Sequence, residues 1–332
     1  MMGARAAGTA PPSLTLPHEG GGDFSRDVDG GAPSPPVGEG GVGGGPPTVS
    51  EAIAAAARRL AGAGIDGAAI DARLLIQEAT RCSREELLRR SARRLSAAET
   101  SRLVALIARR AEREPLSHIL GRREFWSLSL KVTRACLDPR PDSETVVEAA
   151  LARLADPAGS LRVLDFGTGS GCLLLALLSE LPLATGIGVD ASDAALAVAR
   201  ENAERLGLAG RAQFVAGDWG RGIGGAFDAI LANPPYIARA DIDALAPEVA
   251  RHEPRLALDG GPDGLDAYRA LLPDIARLLA PAGFAAIEIG AGQRAAVAGL
   301  AESAGLVCAD AKRDLAGRER CLILVARAVN TL

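Results

Sequence analysis

Little in this 332-residue chain points to metal or redox chemistry. It holds three histidines, too few for a metal cluster. Its five cysteines (Cys82, Cys136, Cys172, Cys308 and Cys321) form no CxxC pair, so reduced, buried thiols are expected, with neither disulfides nor zinc. Lysine is nearly missing. Lys131 and Lys312 stand against 35 arginines, and with the excess of alanine and glycine this reads as coding bias rather than function. No run approaches the ~18 apolar residues that a bilayer span requires, and the first residues lack the basic-then-apolar pattern of a secretory signal. The expectation is a cytoplasmic protein without membrane contact. What is present suits a folded chain: 48% apolar and 23% charged residues and a net charge of −4. The length allows about two domains of ~150 residues.

Residues 1–47 carry 13 of the 39 glycines and 8 of the 20 prolines. So little apolar area cannot offset chain entropy, and 1–48 is expected to be a disordered tail with no assigned function. Helical periodicity begins at Thr48, with Ser50 as the expected N-cap before EAIAAAARRLAGAG. It continues at 68–79, 83–91 and 96–113, where Ser83 with Glu86 and Ser96 with Glu99 make capping boxes. Residues 49–115 therefore read as a bundle of four or five helices, with 13 Arg against nine acidic residues. That arginine-rich face is either a solvated surface or a docking surface for an acidic macromolecular partner.

Residues 116–140 read as a strand-rich connector containing the runs EFWSLSL and KVTR. Beyond it, strand patterns at 161–166, 185–190, 211–217, 227–233, 283–290, 306–312 and 320–326 alternate with helical ones at 171–181, 193–207, 264–280 and 292–304. This order predicts an α/β fold with a doubly wound, mostly parallel seven-stranded sheet. The last two strands are too close for a crossover helix, so that pair is expected to be antiparallel.

The first chemical signal follows the first strand, where LRVLDF runs into Gly167-Thr168-Gly169-Ser170-Gly171 and then an apolar helix. Such glycines let a ligand approach the backbone without meeting a Cβ, and ligands of open α/β sheets sit beyond the carboxyl ends of strands. A dinucleotide GxGxxG starting at Gly167 would need glycine where Cys172 stands. The spacing Asp165-x-Gly167-x-Gly169-x-Gly171 resembles motif I of S-adenosylmethionine methyltransferases. Asp190, 19 residues after Gly171, ends the second strand, where a carboxylate can accept both hydrogens of a ribose diol. Nicotinamide cofactors use an acid there too, so Asp190 supports an adenosyl ligand without choosing between cofactors. Asp218-Trp219 follows the third strand. Its indole either packs on an adenine, with Asp218 near the amino group, or fills the core.

The second signal is Asn233-Pro234-Pro235-Tyr236, directly after the fourth strand. Two prolines remove two backbone donors and hold the chain extended. The Asn233 side-chain oxygen and the Pro234 carbonyl can then each accept one hydrogen of a flat –NH2 group, with Tyr236 offering a ring to stack on. An amide nitrogen so held is aimed at a sulfonium methyl group, with proximity and preorganised electrostatics supplying much of the rate. Once alkylated the nitrogen is acidic, so no strong base is required.

Together with Glu114-Pro115-Leu116-Ser117-His118-Ile119-Leu120-Gly121, Arg123-Glu124-Phe125-Trp126 and Pro139-Arg140-Pro141-Asp142-Ser143-Glu144, these motifs resemble the protein-(glutamine-N5) methyltransferases of release factors, the HemK family. The resemblance covers about 49–332 and includes GVD, GDW, NPPYI and the closing RDLAGRERCLI. It implies a class I, Rossmann-like methyltransferase domain at 141–332, a β-hairpin linker at 116–140 and a helical substrate-docking domain at 49–115. It further implies S-adenosylmethionine contacts at Gly167, Thr168, Gly169, Ser170, Gly171, Asp190, Trp219 and Asn233, and no metal. Asn233, Pro234, Pro235 and Tyr236 would hold the substrate glutamine, with Asn233 and Pro234 carrying the catalysis. The implied substrate is the glutamine of the Gly-Gly-Gln loop of class I peptide chain release factors. Asp138, where an aliphatic residue is usual, and Ser143, in place of threonine, depart from the pattern outside the chemical motifs.

Other readings meet obstacles in the sequence. An amino-methyltransferase acting on a nucleic-acid base needs a basic field, whereas 116–332 nets −5, so no direct nucleic-acid binding is expected. Ribosomal-protein glutamine methyltransferases share NPPY, but PRPD associates with the release-factor group. A non-catalytic cofactor-binding module leaves the intact NPPY unexplained. A haem-pathway oxidoreductase would need a flavin, metal or redox-cysteine motif, and none is evident.

Overall fold

The computed structural model describes residues 45–154 and 158–327; most of the 1–48 tail expectation lies outside them. The first helix, α1 (Val49–Gly62), is capped by Thr48, two residues before the expected Ser50. Thr48 Oγ1 accepts from the Glu51 N–H, and the Glu51 carboxylate accepts from the Thr48 N–H at 2.8 Å. This reciprocal pair satisfies two donors where Ser50 would satisfy one. Helices α2 (Ala68–Thr80), α3 (Arg84–Arg89) and α4 (Ala97–Ala111) follow, the last two starting at the Ser83/Glu86 and Ser96/Glu99 capping boxes. Their apolar stripes, including Leu60, Leu75, Ile76 and Leu103, close one core.

The strand-rich connector also holds one helical turn. Leu116–Leu120 forms a short helix, α5, ending in a left-handed Gly121. The run EFWSLSL then folds on itself as a hairpin of β1 (Arg122–Phe125) and β2 (Leu128–Lys131). Trp126 and Ser127 make the two-residue turn at φ +51° and +60°, positions where glycine or asparagine is the usual signal. Tertiary bonds hold it instead: the Trp126 N–H donates to Glu144 at 2.8 Å and its indole Nε1–H to Glu180 at 2.7 Å.

The remainder builds the sheet: α6 (Glu144–Arg153), β3 (Arg162–Phe166), α7 (Cys172–Glu180), β4 (Thr185–Asp190), α8 (Asp193–Arg205), β5 (Ala212–Ala216), β6 (Phe227–Ala232), α9 (Pro247–His252), α10 (Asp266–Leu278), β7 (Leu279–Glu288), α11 (Arg294–Ser303), β8 (Leu306–Arg313) and β9 (Glu319–Ala326). The spatial order is β5-β4-β3-β6-β7-β9-β8. β3 to β7 are parallel, and β9 runs antiparallel to both β7 and β8, as the short last connection predicts. Strand residues alternate between two cores. Val163, Ala229 and Leu231 meet α6, α7 and α8, while Leu164, Ile230 and Ile287 meet α10 and α11. The order reverses at β3, so the loops leaving β3, β4 and β6 diverge there and open a cleft at their carboxyl ends.

Candidate active site

The cleft encloses a cavity of about 420 Å³. Its floor is the loop after β3, where Gly167, Gly169 and Gly171 take φ of +66°, +54° and +82°. The two outer glycines answer different demands. A Cβ on Gly167 would point between the Trp219 ring at 3.9 Å and the Asn233 carbonyl oxygen at 4.0 Å, so this glycine faces the other two motifs. A Cβ on Gly171 would meet Leu175 at 3.0 Å and Ala199 at 3.3 Å, so this one lets α7 and α8 close up behind the cavity.

Thr168 pins the loop. Its N–H donates to the Val189 carbonyl at 3.0 Å and its Oγ1 to Asp165 Oδ2 at 2.6 Å. Asp165 is fully enclosed. Desolvation pushes its carboxyl up to about 7, against the opposing pull of the Thr168 hydrogen bond. Asp190 ends β4 with Oδ2 accepting the Gly169 N–H at 2.8 Å and Oδ1 accepting the Ser192 N–H at 2.9 Å. Each oxygen keeps a second lone pair, so a diol can still be received there. Trp219 stands across the loop at φ +51°, an uncommon conformation for a bulky residue. Its ring meets Phe166 edge-on, with centroids 6.3 Å apart.

Asn233 leaves β6 beside this loop. Its Nδ2 donates to Ser143 Oγ at 2.9 Å, and Ser143 Oγ donates to Glu288 Oε2 at 2.5 Å. The Tyr236 hydroxyl donates to Glu288 Oε1 at 3.1 Å. Glu288, at the end of β7, is 1% exposed, and burial raises its carboxyl pKa while Ser143, Tyr236 and Arg320 oppose the rise. Among the described residues no protein group donates to the Asn233 side-chain oxygen or to the Pro234 carbonyl.

Of the predicted site residues, Gly167, Thr168, Gly169, Ser170, Asp190, Trp219, Asn233 and Pro235 share the cavity wall. Gly171, Pro234 and Tyr236 stand behind it: Pro234 is buried, and Tyr236 is drawn against the sheet by Glu288. Sequence reasoning missed Ser143, Glu288 and Arg140. The only trace of Glu288 is one ionisable residue inside the apolar run GFAAIEIG. Arg140 lines the cavity and pairs with Glu253 at 2.5 Å. Burial pushes the Glu253 carboxyl up to about 7, against the pull of Arg140.

The segment after NPPY reaches back to the helical bundle. Arg110 of α4 bonds Asp71 of α2 at 2.7 Å and Glu248 of α9 at 3.0 Å, and Arg113 bonds Glu248 at 2.8 Å. No group of three or more His, Cys, Asp or Glu side chains among the described residues is arranged to hold a metal ion, and none of their helices is long and apolar enough to cross a membrane.

Two family models match the chain, a PrmC N-terminal domain over residues 51–121 and a methyltransferase small domain over 146–260. The release factor glutamine methyltransferase of Rhodospirillum rubrum is 49% identical over 297 residues, covering 87% of this chain and 91% of the relative. Those of Caulobacter vibrioides and Cereibacter sphaeroides are 47% and 48% identical, covering 83% and 82% of this chain and 96% of each relative. With a class I methyltransferase sheet, glycine loop and NPPY meeting at one cavity, and relatives this similar over nearly their full length, the chain belongs to the release factor glutamine methyltransferase family.

Proposed function

We propose that this protein transfers a methyl group from S-adenosylmethionine to the side-chain nitrogen of the glutamine in the Gly-Gly-Gln loop of class I peptide chain release factors, in the cytoplasm. The residues fit the cofactor. The glycine loop presents backbone without side chains, Asp190 keeps lone pairs for a ribose diol, and Trp219 offers an aromatic wall in a cavity of about 420 Å³. When bound, S-adenosylmethionine supplies an electrophilic sulfonium methyl group.

The protein's task is to present the acceptor nitrogen. Asn233 Oδ1, on the cavity wall, accepts one N–H of the glutamine amide, and the carbonyl of the buried Pro234, which receives no backbone donor among the described residues, accepts the other, favouring the polarised, partly pyramidal nitrogen and aiming its lone pair. Orientation of this kind supplies much of the rate, and fixed dipoles add to it. Pro235 closes the wall beside Asn233, and Tyr236 braces the segment from behind through Glu288. The helical unit 49–115 docks the release factor, with exposed Ile70, Leu88 and Val104 among its arginines and with α4 tied to α9.

One observation carries this reading: Asn233 spends an amide hydrogen on Ser143, its side-chain oxygen receives no protein donor among the described residues, and it lines the same cavity as the glycine loop. Incubation of the protein with labelled S-adenosylmethionine and purified release factor, followed by peptide mapping, tests it. Label on the Gly-Gly-Gln glutamine is expected; an unlabelled factor, or label elsewhere, overturns it.

A further inference from the structure

We propose that Ser143 and Glu288 are positioning residues that set the polarity of the Asn233 carboxamide, so that its oxygen rather than its nitrogen meets the acceptor. The proposal rests on the role given to Asn233 above and names what enforces it. A primary carboxamide has two nearly isosteric orientations related by a half-turn, one presenting an acceptor and the other two donors. Facing a glutamine –NH2 group, the first attracts and the second repels. The choice is made on the far side of Asn233.

Ser143 Oγ is 2.9 Å from Nδ2 and 2.5 Å from Glu288 Oε2. A hydroxyl has one hydrogen. With Glu288 as the accepting end, and Tyr236 donating to its other oxygen, the Ser143 hydrogen is committed to Glu288, and Ser143 acts towards Asn233 as an acceptor. Nδ2 must therefore turn to Ser143, and Oδ1 to the opposite side. Glu288 is itself held. Its other oxygen accepts from Tyr236 at 3.1 Å, its backbone carbonyl accepts from the Tyr268 hydroxyl at 3.0 Å, and Arg320 lies close enough to favour its charge. Ser143 and Glu288 are both 1% exposed, so bulk solvent has little access to the pair. The chain Asn233→Ser143→Glu288 thus has a single direction of donation. It joins the end of β6, the turn before α6 and the end of β7.

The test compares Ser143→Ala with Ser143→Thr, since the threonine keeps the hydroxyl. Kinetics with release factor are read beside cofactor affinity. Hydrogen exchange of the Asn233 side-chain amide is followed by NMR on protein labelled with 15N-asparagine, the signal being assigned by its loss in Asn233→Ala. Ser143→Ala is expected to lower kcat by about 10- to 100-fold, because misorientation at the reacting centre is felt in kcat. Its affinity for S-adenosylmethionine should stay within about twofold and its Asn233 amide should exchange at least about tenfold faster, while Ser143→Thr restores both kcat and protection. Wild-type kcat or wild-type exchange in Ser143→Ala overturns the proposal, and so does a Ser143→Thr enzyme as impaired as the alanine variant. If the unmodified protein methylates no release factor, the proposed function fails, and the exchange rates alone then decide whether Ser143 orients Asn233.

Discussion

Gly188, in the middle of β4, couples the stability of the sheet to the shape of the glycine loop. A Cβ there would lie 2.7 Å from Thr168 Oγ1 and 2.7 Å from Phe214 Cδ1, about an ångström inside normal contact. Neither neighbour can yield freely. Thr168 is held by Asp165 at 2.6 Å and by the Val189 carbonyl at 3.0 Å, and Phe214 is 8% exposed within the core between the sheet and α7 and α8. Gly188→Ala is therefore an overpacking substitution, costing about 1–3 kcal/mol. For a domain of this size, 2 kcal/mol corresponds to a fall in Tm of roughly 6 °C. Relief by movement of Thr168 carries the 167–171 loop with it, so affinity for S-adenosylmethionine should fall in the same variant. Gly210→Ala is the control, because its Cβ would meet nothing within 4 Å. Thermal melts with calorimetric titration of the cofactor read both effects. A Gly188→Ala protein with the Tm and cofactor affinity of the Gly210→Ala control would refute the packing argument.

Arg110→Ala should destabilise the fold by about 3–5 kcal/mol, because it strands Asp71 in a partly buried site and leaves Glu248 to Arg113 alone; urea melts measure it, and a loss under 1 kcal/mol would show the pair to be solvated. Burial raises Glu253 to about 7 from an ordinary 4.5, so the folded state holds a proton that the unfolded chain releases. The stability it contributes is complete below pH 4.5 and lost as pH rises to about 7. Melts from pH 4 to 8 should accordingly show wild type losing stability relative to Glu253→Gln across that window, and parallel curves would contradict the shift.

Much of the sheet is legible in the sequence because each strand is an apolar run bounded by a helix or a turn, and because a short connection forbids a parallel last pair. The two motifs are legible for the same reason: glycines and prolines mark where backbone rather than side chain faces a ligand. The illegible parts are those fixed by distant contacts. The hairpin turn at Trp126-Ser127 has no glycine, and it is held by Glu144 and Glu180, which lie far along the chain. The bond between Ser143 and Glu288 spans 145 residues and exists because α6, which Ser143 leads into, packs against β7. Tyr236 reads as a stacking ring in sequence, and nothing local shows that its hydroxyl bonds a glutamate 52 residues further along the chain.

Asn233→Ala, assayed by single-turnover methyl transfer to release factor and by calorimetric titration of S-adenosylmethionine, tests the central claim most directly. Removing an acceptor fixed at the reacting centre should slow transfer by about 10²–10³-fold, while cofactor affinity changes by less than about threefold, since the glycine loop and Asp190 remain in place. Equal losses in transfer and in affinity would make Asn233 a cofactor residue, and an undiminished transfer rate would contradict the account.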